Sequence, residues 1–143
     1  MARENRSGAL EAALRRLSMV VEGVKASVIV SDEGFAIAAY PGDDEASASD
    51  GKLKAAQLAA VSAALAALGE RSLDRLAQGE MGRLLLEGES GAFLSCPAGD
   101  VTLALLVEKD ASMGHVLFAT QKAAAEIDAI LARAEFKLPP SPQ

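Results

Sequence analysis

KLKAAQLAAVSAALAAL, residues 52–68, is the stretch whose reading decides the fold. It follows Ser49, Asp50 and Gly51, which supply N-cap candidates, and it runs into Gly69, a C-cap candidate, so the spacing predicts a helix over 52–68. Leu58, Val61, Leu65 and Leu68 recur at steps of three and four and form an apolar stripe of the kind that packs onto a sheet. A second face carries Ala55, Ala59, Ser62 and Ala66, and the side opposite the leucines carries Ala56, Ala60, Ala63 and Ala67. Almost no polar face remains. A helix apolar all round is buried on more than one side, and a chain of 143 residues has few other elements to cover it. Alanine is also the best helix former and tolerates exposure, but the missing polar face favours a seam with a second copy of the chain.

The length suits one domain with a real core. Residues 7–136 form that domain, with residues 1–6 and the proline-rich tail 137–143, KLPPSPQ, expected to be loose. Aromatic residues make up 3% of the chain, so the core is expected to be aliphatic. A net charge of −6 opposes nucleic-acid binding and anionic membranes, both of which require a basic face. One cysteine excludes an intramolecular disulfide, and the lack of a signal peptide or long apolar run excludes membrane insertion and points to the cytoplasm.

Ser7 can cap a first helix in which Leu10, Leu14, Leu17 and Val21 share a face. Residues 26–31, ASVIVS, and 35–40, FAIAAY, are strand-like, and Asp32, Glu33 and Gly34 between them suit a hairpin closed by a glycine with positive φ. The acidic pair Asp32 and Glu33 reads as a solvated turn, because no His, Cys or further acid recurs at metal spacing. Residues 41–51, PGDDEASASDG, read as an acidic loop. Residues 70–79 are either a final helical turn or a short separate helix. Residues 81–87, 92–96 and 101–109 form three strand-like runs, and their short connections imply antiparallel neighbours. VTLALLV within the last run is apolar without a break, which suits a middle strand covered on both faces. A closing helix over 112–136 places Val116, Ala119, Ala123, Ile127, Ile130 and Leu131 on one side. The order is helix, two strands, helix, three strands, helix: an α+β chain with a mainly antiparallel five-stranded sheet.

Catalytic signatures are missing. The only GK, Gly51 and Lys52, has Ala46 where a phosphate-binding loop needs glycine, and Leu53 where it needs a hydroxyl. No GxSxG, HExxH or CxxC occurs, and a single His and a single Cys make no metal cluster. His115 near the start of the last helix reads as structural or exposed, and Cys96 as a small buried residue. Arg71 and Arg75 have the spacing to reach a partner's phosphate, but solvent pairs with Glu70 and Asp74 explain them better. No cofactor, metal or catalytic residue is expected, and the chain is not read as an enzyme.

GVKASVIVSDEGFAIAAY at 23–40, the alanine-rich second helix, GEMGRLLLEGESGAFLSCPAGDVTLALLVEKDASMGHV at 79–116 and the closing helix together resemble a roadblock/LC7 domain, the family of dynein light chains and of bacterial MglB-type partners of Ras-like GTPases. The resemblance implies a five-stranded antiparallel sheet with one long helix on one face and two on the other. It also implies a homodimer through the second helix and the third strand, with Ala55, Ala56, Ala59, Ala60, Ser62, Ala63, Ala66 and Ala67 from the helix and Arg83 and Leu85 from the strand. The function implied is a non-catalytic regulatory or scaffold subunit that binds a Ras-like small GTPase and alters its nucleotide cycle. The alternative is a dimeric signalling or ligand-binding module without a GTPase, marked by an apolar pocket with a few convergent polar groups.

Overall fold

The computed structural model describes residues 2–42 and 54–137. The elements follow the expected order: α1 (Ala2–Val20), β1 (Val24–Val30), β2 (Ala36–Tyr40), α2 (Ala55–Arg75), β3 (Leu84–Glu87), β4 (Gly91–Ala98), β5 (Val101–Glu108) and α3 (Met113–Lys137). The five strands form one sheet in the order β2-β1-β5-β4-β3, with every neighbouring pair antiparallel. The unbroken apolar run of β5 occupies the middle, where Leu103, Ala104, Leu105 and Val107 are fully buried. Burying each of those leucines contributes about 1.5–3 kcal/mol.

Period-two alternation divides the sheet residues between two cores. Leu85, Leu94, Leu103 and Leu105 point to the face covered by α1 and α3, where Leu10, Leu14, Leu17, Val116, Ala123 and Ile127 meet them. Val28, Val30, Phe93 and Ala104 point to the other face and meet Leu58 and Ala59 of α2. The long helix therefore lies alone on one side and the pair on the other. An ion pair between Arg16 and Glu126 bridges α1 and α3, and its exposure limits it to less than about 1 kcal/mol.

The β1–β2 turn is built as its residues require. The Gly34 N–H donates to the Ser31 carbonyl and the Ser31 N–H to the Phe35 carbonyl, both at 2.9 Å, with Gly34 at φ +92°. At that φ only glycine is unstrained.

Several boundaries differ from the expected ones. α1 starts at Ala2, so residues 2–6 belong to it and Ser7 lies inside it instead of capping it. The cap candidates Ser49, Asp50 and Gly51 and most of the 41–51 loop lie outside the described residues, as does the tail beyond Lys137. α2 is observed from Ala55, and its first turn is closed by the Lys54 N–H donating to Oε1 of Gln57 at 3.0 Å. Gly69 does not end the helix. A Cβ there would come within 3.2 Å of the Met81 sulfur, so glycine serves close packing, and α2 continues to Arg75. Residues 70–75 are thus its last turns. The stop is a Schellman motif: the Gln78 N–H bonds the Leu73 carbonyl, the Ala77 N–H bonds the Asp74 carbonyl, and Ala77 takes the left-handed conformation at φ 58°. β4 runs through Pro97 to Ala98, further than its proline suggests.

An alanine in the left-handed region carries a penalty that glycine avoids. Ala77→Gly is expected to stabilise the fold by about 1 kcal/mol, a rise of roughly 2–4 °C in melting temperature. A thermal melt followed by circular dichroism checks it, and an unchanged or lower midpoint would show that Ala77 is not strained.

Candidate interaction face and cleft

The face of the sheet that carries α2 is only partly covered. α2 lies mainly over β2, β1 and β5 and its cluster takes in Phe93 of β4, so the least covered part of this face is the edge strand β3. On that side β3 presents Leu84 and Leu86, and Leu86 is 46% exposed. The helix itself is turned differently from the leucine stripe expected for it. Leu58, Ala59 and Ser62 are buried against the sheet and Leu65 packs at their side. Val61 and Leu68 stand 49% and 54% exposed on the flank turned away from Ala63 and the β1–β2 turn. Ala59 and Ser62 are each 0% exposed, and the Ser62 hydroxyl donates to the Leu58 carbonyl at 2.6 Å. Small side chains bring this helix close to the sheet, and its larger ones are left outside.

The ten residues expected at a seam therefore separate. Ala56, Ala60 and Ala67 are exposed along the outer surface of α2, and Ala55, Ala63 and Ala66 are half-buried at its margins. Ala59 and Ser62 serve the protomer's own core. Leu85 also points inward, into the core under α1 and α3; its neighbours Leu84 and Leu86 hold the α2 side. Arg83 is exposed just ahead of β3. The outward apolar residues that periodicity did not assign to this face are Val61, Leu68 and Leu86. For Val61 and Leu68 the signal in the sequence is the same three-and-four spacing that suggests burial, and Leu86 lies in a strand outside that pattern.

Arg71 and Arg75 are exposed, and among the described residues neither forms an ion pair with Glu70 or Asp74. Adjacent residues on a helix do not face each other. His115 is exposed in the first turn of α3. No group of three or more His, Cys, Asp or Glu among the described residues is arranged to hold a metal ion. None of the helices among them is long and apolar enough to cross a membrane.

On the opposite side of β4 the sheet and α3 diverge around a cleft of about 280 Å³. One wall is β4 with Leu94, Cys96 and Ala98, and the other is the α3 flank with Leu117, Thr120, Gln121, Ala124 and Asp128; Arg83 stands at its rim. Thr120 is 3% exposed, and its hydroxyl has no hydrogen-bond partner. Leaving a buried hydroxyl unpaired costs about 1–3 kcal/mol. Burial pushes the Cys96 thiol from 9.0 up to about 11, against the opposing pull of the Arg83 guanidinium. Cys96 is thus a protonated, inert wall residue near neutral pH.

The raised thiol has a direct readout. Only the thiolate is alkylated, so near neutral pH iodoacetamide should modify Cys96 about a hundredfold more slowly in the folded chain than in the unfolded one, from the thiolate fraction alone. The folded-state rate should keep rising as the pH approaches 11. Equal rates in the two states would place the thiol in water.

The comparisons with known proteins agree with this architecture. The family model of the roadblock/LC7 domain matches residues 11–107. Two uncharacterized proteins of Methanocaldococcus jannaschii are each 28% identical over 109 residues, which is 76% of this chain and 89% of theirs. Among solved structures, Myxococcus xanthus MglB superposes with a TM-score of 0.79 at 18% identity, covering 95% of each chain. A roadblock/LC7 domain from Streptomyces avermitilis superposes at 0.75 and 18% identity, covering 85% of this chain and 97% of that one. The gliding protein MglB of Thermus thermophilus superposes at 0.76 and 17% identity, covering 93% of each. With the three helices, the antiparallel sheet order and the family match in agreement, this chain belongs to the roadblock/LC7 domain family.

Proposed function

We propose that this chain works as a homodimer that binds a Ras-like small GTPase and modulates its nucleotide cycle, without contributing a catalytic residue of its own. The observation that carries the reading is the uncovered face formed by the outer side of α2 and by β3. Val61, Leu68 and Leu86 are each about half exposed there. Contiguous apolar surface beside an unpaired strand edge is a feature that soluble proteins cover. A second copy laid across it would pair β3 with its counterpart and bring the exposed Ala56, Ala60 and Ala67 of the two α2 helices into close approach. Sheets of the two copies would then run on as one. Membership of the roadblock/LC7 family and the fold likeness to MglB support a GTPase as the further partner. One solved MglB structure is described as having a tetrameric arrangement, which is in keeping with assembly through copies of the chain.

The dimer reading separates two classes of substitution. Val61→Glu combined with Leu68→Glu places charges that stay solvated in the protomer, so the chain should keep its circular dichroism spectrum yet elute and scatter as a monomer. Ala59→Glu buries a carboxylate within the protomer and should destabilise the fold itself, by at least about 3 kcal/mol. A dimer that survives the double substitution, or an unmodified chain of monomer mass, would remove this face from the assembly.

The partner reading is tested by mixing the purified chain with each Ras-like GTPase of the same genome. A stable complex with at least one of them is expected, with a changed rate of GTP hydrolysis or nucleotide exchange that the monomeric double variant no longer produces. No complex and no rate change with any of them would sink it.

A further inference from the structure

A hollow of about 80 Å³ opens at the end of the sheet where the β1–β2 and β4–β5 turns meet α2. Three carboxylates line it from three separate segments: Asp32 in the first turn, Asp100 in the second and Glu70 on the helix. The pairing of β1 with β5 brings the two turns to the same end. It finishes with Val30 opposite Thr102, and Asp32 lies two residues after the one and Asp100 two before the other. Met81 also lines the hollow, with its sulfur packed on Gly69 of α2. Among the described residues no cation pairs with any of the three carboxylates.

Exposed carboxylates alone would mark only a solvated rim, but this hollow has a polar floor. Ser95 of β4 lines it, is 2% exposed, and makes no hydrogen bond through its hydroxyl among the described residues. Two residues from Phe93 on the same strand, it points to the face that carries α2, the side on which the hollow opens. The Thr120 hydroxyl is sealed from solvent, whereas that of Ser95 is not. A nearly buried hydroxyl without a partner is costly to a fold. The hollow thus presents acceptors from several directions and no cation, which selects a positively charged donor. No group of three acids among the described residues is arranged to hold a metal ion, so these carboxylates do not converge on one point. A guanidinium spreads its N–H donors over a planar fork and meets acceptors on several sides at once, whereas an ammonium is a compact, strongly hydrated charge. The volume of about 80 Å³ is that of about three waters in the liquid. It admits a guanidinium head and leaves the alkyl stem outside, beside Pro97 and Val101, so the head belongs to a larger partner and not to an enclosed small molecule.

We propose that this hollow receives an arginine side chain of a partner polypeptide, with Asp32, Glu70 and Asp100 around the guanidinium and the Ser95 hydroxyl accepting one of its N–H groups. Free arginine is disfavoured, because it brings its own carboxylate to a rim of three others. The proposal does not rest on the GTPase reading, and its test uses no GTPase.

The probe is the peptide acetyl-Gly-Arg-Gly-amide, titrated into the full chain at low salt and followed by amide chemical shifts, with acetyl-Gly-Lys-Gly-amide and free arginine as controls. Saturable binding with a Kd on the order of 1 mM is expected, with shifts centred on Asp32, Glu70, Ser95 and Asp100. Each control should bind about fivefold more weakly, the first for the lost fork and the second for the added carboxylate. Asp32→Asn and Glu70→Gln, both at exposed positions, should each weaken binding about threefold without lowering the melting temperature. Ser95→Ala leaves the charge unchanged, so it separates a seated guanidinium from a merely attracted one; it should weaken binding about threefold while the melting temperature holds or rises. The elution mass is measured with and without the peptide and should not change. Absence of saturable binding, equal affinity for either control, or undiminished binding by Ser95→Ala would overturn the proposal. So would a fall in elution mass on adding the peptide, which would place an arginine of a second copy in the hollow.

Discussion

One constraint governs this molecule: a five-stranded sheet is wider than a single helix. Strands spaced about 4.8 Å apart make a face of roughly 20–24 Å, and a helix with its side chains covers about 10 Å of it. Two helices close the face under α1 and α3, and the core there contains most of the large buried residues. On the other face α2 is alone over β2, β1 and β5. Phe93 and Ser95 of β4 are buried on that side, so the uncovered part is the margin at β3, where Leu86 of the strand and Val61 and Leu68 of the helix are exposed. The proposed dimer follows from this shortfall in width more than from any single motif.

The order and type of the elements were legible because each is marked by its own period. The 3.6-residue stripe of Leu10, Leu14, Leu17 and Val21 and that of Val116, Ala123 and Ile127 are buried as read, since both helices have one apolar side and one polar side. α2 has apolar residues all round, so periodicity alone could not choose its inward face. Of the stripe that size and spacing predict, Leu58 and Leu65 pack against the sheet, and Val61 and Leu68 do not. Ala59 and Ser62 are inward because the helix lies close to the sheet, and Val61 and Leu68 are outward because the space beyond them is unfilled. At Gly69 the residue type signals a break when its backbone is considered alone, and a tertiary neighbour, the Met81 sulfur packed on it, overrules that signal.

The two candidate sites differ in legibility for a related reason. The interaction face announces itself as a missing polar side within one contiguous helix. The cleft is assembled from Arg83, Cys96, Thr120 and Asp128, which are scattered over four elements and connections, and no local spacing links them. Its one trace is Thr120, a hydroxyl residue inside the apolar stripe between Ala119 and Ala123. A threonine there is ordinary in sequence because it can return its proton to the preceding turn. Only the structure shows that bond to be absent.

Both sites meet at β3, and the length of that strand is set by Pro97. Ala98 and Val101 close a two-residue turn between β4 and β5, and such a closing pair exchanges hydrogen bonds. Pro97, one residue earlier, therefore directs its nitrogen away from β5 and towards the β3 side, where it has no N–H to give. The ladder between β3 and β4 ends at Leu84 and Ser95 accordingly. Gly82 and Arg83, which would have continued it, leave the sheet and become the rim of the cleft. A proline at this place is tolerated only because the neighbouring strand is a short edge. The same missing N–H that keeps the edge short enough for one exposed segment to carry the dimer surface also frees the arginine that stands at the rim of the cleft.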